Sequence, residues 1–171
     1  MHLRTGAGMA LLALVVGGSA LAAATHKQFE GGVTLYEKGH DQMVVCSVDS
    51  PYLCNMIRLY GGTKTVLAAN GKPAKLARGE YVSVDAAAQP GAPVALTVRV
   101  YPDRAVRTIK GFKPASTQRD ETVLKRLPGV RAVKLMPELG EVYLTFNSKT
   151  SAADIAKRAK RKGIQLVLPG A

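Results

Sequence analysis

Hydrophobic and polar residues alternate in short runs over the first two thirds of this chain, and turn-forming residues separate the runs. Val33 and Leu35 alternate with Thr34 and Tyr36 in an expected strand over 33–36, closed before Gly39. A β-branched run over 42–48 and a further run over 53–60 predict two more strands about a turn at 49–52, where Pro51 presets φ. Strands over 64–68 and 80–84 follow, and Asn70-Gly71 between them is a hairpin-type pair. Residues 86–93 are small and rich in Pro and Gly and read as a linker. Residues 94–100 alternate strictly, Tyr101-Pro-Asp-Arg104 reads as a turn, and a strand resumes over 106–112. Strands this short and this closely spaced predict a small antiparallel sheet or barrel for the first half.

After residue 116 the period changes. Ser116 and Thr117 are candidate N-caps, and Thr117 and Asp120 have capping-box spacing. Val123, Leu124 and Leu127 then make one apolar helix face, which Pro128-Gly129 ends. Strands are expected over 130–136 and 141–146, joined by a turn at 137–140, with Val142, Leu144 and Phe146 on one face. Ser151 and Asp154 begin a second helix whose stripe is Ala152, Ile155, Ala156 and Ala159, and Gly163 suits the residue just past its end. A last strand covers 164–168. With 106–112 in front, the order is βαββαβ, the split-βαβ arrangement of a ferredoxin-like unit. The expected class is therefore α+β, a small β-rich N-terminal segment followed by a ferredoxin-like unit.

The first residues fall outside that pattern. Arg4 lies in a short basic start, residues 9–16 are apolar, and Ala20-Leu-Ala22 and Ala22-Ala-Ala24 both satisfy the small-x-small rule for signal cleavage. The apolar run is too short for a membrane anchor. This divides the chain into a cleavable signal peptide over 1–24, a β-rich domain over 25–88 and a ferredoxin-like basic domain over 94–171. The expected location is the periplasm or the exterior, by Gram-negative-type export.

Export changes how the two cysteines read. Cys46 and Cys54 flank the 49–52 turn on adjacent expected strands, so a disulfide would pin that hairpin. The sharper alternative pools Cys46, Cys54, Met43, Met56 and His40 as a soft-metal site of copper type, since sulfur donors suit Cu(I). The C-x7-C spacing matches no metal motif and is not the C-x-x-C redox pair, so no metal site and no cofactor are assigned.

Charge is unevenly spread. The formal net charge is +12. From Tyr101 onward there are 15 Lys/Arg against 6 Asp/Glu, and from Thr25 to Val100 there are 8 against 6. Lys157, Arg158, Lys160, Arg161 and Lys162 crowd the end of the second helix, where the macrodipole favours cations. With Arg131 and Lys134 they form the candidate surface for an anionic partner, either a protein or the phosphates of phospholipid or lipopolysaccharide. Nucleic acid is disfavoured, because only Phe112 and Tyr143 stand near enough to serve as stacking rings. No G-x-S-x-G, H-E-x-x-H or P-loop is present, and the expectation is a non-catalytic protein.

The run Leu127-Pro-Gly-Val-Arg-Ala-Val-Lys-Leu135, then Glu141-Val-Tyr-Leu-Thr-Phe146, then Ser151 through Lys162-Gly-Ile-Gln-Leu-Val167 resembles the heavy-metal-associated domain family over roughly residues 105–168. The resemblance implies the ferredoxin-like fold and a role in docking proteins. That family holds its metal with a C-x-x-C pair in the loop after the first strand. Here the loop over 111–118 has no Cys, His or Met, and Lys113 and Arg119 add positive charge. No metal ligand is carried over. The reading is an exported binding or adaptor protein of the bacterial envelope, the alternative being periplasmic metal trafficking through a non-standard site.

Overall fold

The computed structural model describes residues 25–37, 41–50, 53–59 and 66–170; the expected signal peptide, His40 and Pro51 lie outside them. Among the described residues nine strands and two α-helices follow in the order β1 (His26–Glu37), β2 (Gln42–Cys46), β3 (Cys54–Arg58), β4 (Val66–Ala68), β5 (Glu80–Ala87), β6 (Val94–Ile109), α1 (Thr117–Lys125), β7 (Val130–Met136), β8 (Glu141–Phe146), α2 (Ala152–Lys160) and β9 (Leu166–Val167). The fold is α+β and mostly antiparallel.

The turn expected at 101–104 is not a turn. β6 runs unbroken for 16 residues, and the pairing slips there instead, with Tyr81 opposite Tyr101 and the next partner, Glu80, opposite Ala105. Residues 102–104 are the excess on the β6 side. A bulge accepts Pro102, whose missing N–H would break a regular ladder. Residues 86–93 are likewise not all linker, because β5 continues through Ala87 before the hairpin.

The N-terminal strands curl round on themselves. β1 pairs with β2 and β5, β2 with β3, and β5 with β6, all antiparallel. β3 then meets β6 in parallel at Arg58 and Val94, and β4 lies parallel to β6 over Val98, Arg99 and Val100. The Arg58 N–H donates to the Pro93 carbonyl at 2.9 Å, and its guanidinium holds the Ala92 carbonyl at 2.9 Å. The inward residues form one core that includes Val33, Met43, Ile57, Val82, Val84 and Val98, each fully buried. The pairing of β3 with β6 closes β1, β2, β3, β5 and β6 into a small barrel round that core.

The second half of β6 serves a different layer. It pairs with β8 over Arg104–Thr108 and with β9 at Thr108 and Ile109, and β7 pairs with β8, all antiparallel. The strand order there is β9-β6-β8-β7. Both helices pack into one core with this sheet, through Leu124, Leu127, Ile155 and Ala159 against Leu144 and Phe146. Ser151 caps α2 in a full capping box with Asp154, whose carboxylate accepts from the Ser151 N–H and Oγ at 3.1 and 2.7 Å. α1 does not use the box expected from Thr117. Its N-cap is Ser116, already helical in φ and ψ behind a 3-10 turn over Pro114–Ser116, so Ser116 Oγ donates to the Asp120 carboxylate instead, at 2.6 Å.

Barrel and sheet meet along a seam. Val106, Met136 and Tyr143 form a third buried cluster, packed against Val48 and Tyr81. Tyr143 donates its hydroxyl proton to the Cys46 carbonyl at 3.1 Å. Gly32 of β1 lies so close that a Cβ there would stand 2.0 Å from Val106 Cγ2 and 3.2 Å from Tyr143 Cε1. At the far side Arg78 donates to the Pro169 and Gly170 carbonyls, both at 3.2 Å. Because the Val106 backbone is fixed by β8 on one side and by its N–H bond to the Gly79 carbonyl on the other, Gly32→Ala is expected to cost about 3 kcal/mol in urea unfolding. In the double-mutant cycle with Val106→Ala, a coupling of about 1–2 kcal/mol in the rescuing direction is expected, and strictly additive losses would disprove the clash.

Candidate functional site

The disulfide between Cys46 and Cys54 is formed, joining directly opposed residues of β2 and β3. Thr34 Oγ1 lies 3.3 Å from Cys46 Sγ. The sulfurs are therefore not thiolates. Met43 is fully buried inside the barrel, whereas Met56 of β3 is 51 % exposed. Met56 stands opposite Val44, one residue out of phase with Met43, so the strand alternation puts the two methionines on opposite sides of the wall. Among the described residues no three His, Cys, Asp or Glu side chains are grouped to hold a metal.

The loop after β6, where the resembled family keeps its C-x-x-C pair, has a shallow hollow bordered by Lys110, Phe112, Lys113, Ser116, Arg119 and Asp120. Asp120 is buried against Ser116. Three exposed cations round one carboxylate repel a metal ion rather than hold it.

The seven cations expected to form one anion-binding surface are divided. Arg158, Arg161 and Lys162 of the α2 end line a groove with the α1 end, over Leu127 and Pro128, in a hollow of about 340 Å³. It continues into a second of about 280 Å³, where Arg126 and Val123 join Leu127, Pro128 and Lys162. Arg158 donates to the Pro128 carbonyl, which holds its guanidinium across the groove. Among the described residues, neither hollow is lined by an Asp or Glu. Lys157 and Lys160 are exposed but do not line it. Arg131 and Lys134 sit on β7, where Lys134 reaches across the seam to the Asp49 carboxylate at 2.9 Å.

That seam holds a cluster the sequence reading missed. A cleft of about 140 Å³ lies between Val48, Tyr81, Arg104, Ala132, Lys134 and Tyr143. The Arg104 guanidinium lies 5.0 Å from the Tyr81 ring centre and 4.7 Å from that of Tyr101. Glu30 accepts from Tyr81 Oη at 3.1 Å and Arg104 at 3.0 Å. Tyr81 also meets Tyr101 and Tyr143 edge to face at 5.8 and 6.2 Å. Burial, with Glu30 next in effect, pushes the Tyr81 phenol up to about 12. Burial raises Tyr143 further, with the Glu141 charge adding to it. The pairing of Tyr81 with Tyr101 was readable only as hairpin partners about residues 86–93, and reading 101–104 as a turn hid it.

Glu141 is 8 % exposed, and its Oε2 has no hydrogen-bond partner among the described residues. Burial raises its pKa above the ordinary 4.5. A raised acid favours the protonated fold, so stability present below pH 4.5 is lost as pH climbs through the folded value.

No family model, no curated protein and no solved structure matches this chain.

Glu141→Gln is expected to unfold at higher urea than the parent at pH 7, with the two converging below about pH 4.5. A gap of constant size across that range would mean the carboxyl charge is not what the fold resists.

Proposed function

We propose that this chain is an exported, non-catalytic binding protein of the bacterial envelope, and that the groove between α1 and α2 holds a phosphate-bearing anionic surface. The observation that carries the reading is the set Arg126, Arg158, Arg161 and Lys162 round an apolar floor with no acid in the lining. Guanidinium groups match phosphate oxygens in pairs, and Lys157 and Lys160 widen the field beyond the groove. Among the described residues, none of the large exposed apolar side chains, such as Leu35, Leu53 or Met56, borders it. Attachment is then electrostatic rather than by insertion.

Export is supported by the leader pattern and by the formed disulfide. No helix among the described residues is long and apolar enough to cross a membrane. The strand order β9-β6-β8-β7, with both helices packed into one core with the sheet, supports a ferredoxin-like unit. The disulfide and the opposed methionines weigh against copper trafficking through residues 43–56.

The test is sedimentation with phosphatidylglycerol vesicles. Binding is expected at low salt, with a steep loss as salt rises. Arg126→Gln, Arg161→Gln and Lys162→Gln together remove about 3 kcal/mol at roughly 1 kcal/mol per cation, or about a hundredfold in affinity. Arg158 is left in place because it ties α2 to Pro128. Binding that ignores both salt and the triple variant would sink the proposal.

A further inference from the structure

β7 ends the sheet. It pairs with β8 alone, and no described strand covers its other edge. An edge of this kind presents the outward backbone donors and acceptors of alternate residues, here between Val130, whose N–H already donates to the Leu127 carbonyl, and Met136, whose carbonyl already accepts from Leu139. Two of its exposed residues are Arg131 and Lys134, with exposed Ala132 between them. These cations oppose pairing with a second copy of β7, since like charges would face one another. A strand of opposite charge meets no such repulsion and can pair with them at contact.

The seam cleft opens beside that edge, because Ala132 and Lys134 of β7 form one of its walls. Its volume of about 140 Å³ suits a single side chain rather than a whole small molecule. Val48, Tyr81 and Tyr143 supply apolar walls, and the cations on it are Arg104 and Lys134. Each cation already holds a carboxylate of this chain. Lys134 pairs with Asp49, whose side chain is 94 % exposed, and Arg104 pairs with Glu30, 53 % exposed. Exposed ion pairs contribute little to stability, so an incoming carboxylate exchanges with them at small cost.

We propose that the open edge of β7 takes an extended acidic polypeptide segment by strand addition, one of its carboxylate side chains entering the cleft between Lys134 and Arg104. Backbone hydrogen bonds to β7 give the affinity and the cleft gives the register. This surface is separate from the α1–α2 groove and stands whether or not the groove binds phosphates.

The probe is a capped peptide of alternating Glu and Val, titrated into the full mature chain and followed by backbone amide shifts and hydrogen exchange. Shifts are expected on β7 and at the cleft, with new protection of β7 amides. Lys134→Glu, at an exposed position that leaves the fold intact, is expected to weaken binding roughly tenfold or more. Ala132→Phe, which fills the cleft, is expected to weaken it as well. The triple groove variant is expected to bind the peptide as the parent does. A peptide of equal charge interrupted by prolines cannot add a strand, so equal binding of that peptide would overturn the proposal. Shifts confined to α1 and α2, or no binding at all, would overturn it too.

Discussion

Where β1 crosses the C-terminal sheet, the Gly32 backbone lies directly on the Val106 side chain, with no room for a Cβ. The rest of the molecule depends on that approach. Because β1 can come so near, Tyr143 reaches over to the Cys46 carbonyl and buries its hydroxyl with a partner. A buried phenol without one would cost free energy comparable to the packing it gains. Cys46 is in turn tied to Cys54 across β2 and β3. The disulfide therefore does more than close a hairpin. It fixes the backbone segment whose carbonyl joins barrel to sheet, of which Val48 walls the cleft and Asp49 pairs with Lys134.

β6 carries the same constraint along the chain. Its first half is a barrel stave and its second half lies between β8 and β9, so the two hydrophobic cores share one backbone. The excess at residues 102–104 lets one strand serve both layers, because a bulge sharpens the local twist. It also sets Arg104 against Tyr81 and Tyr101. The aromatic cluster and the change of layer thus have one cause.

Much of the C-terminal half was legible because its signals are local. β7 and β8 fall where the alternation puts them, Ser151 caps α2 with Asp154, and Gly163, at φ +81°, follows its end. The β6 continuity was not legible, since Tyr-Pro-Asp-Arg carries real turn chemistry and only pairing on both sides overrides it. Thr117 had the spacing of a capping box, but the Pro114–Ser116 turn ahead of the helix took the geometry the box needs. The tyrosine cluster draws residues from four separate strands, and no window of sequence holds them. The charge set shows the same limit: neighbours in sequence at 157–162 point to different surroundings, and Lys134, grouped with them by charge, belongs to the opposite side of the sheet.

That division gives the cations two different energies. Round the groove, Arg126, Arg161 and Lys162 stand at helix ends with no acid in the lining, where the macrodipole favours a cation but leaves its outward field intact. Along the seam, Lys134 and Arg104 are each matched to a carboxylate, so the field outside is small even though the cations are accessible. Long-range attraction therefore belongs to the helix face, and short-range exchange belongs to the seam. A uniformly charged partner is drawn to the first, whereas the second rewards only a chain that can also hydrogen-bond along β7. The fold separates the two by placing a sheet between them, which keeps the anion that satisfies one face from neutralising the other.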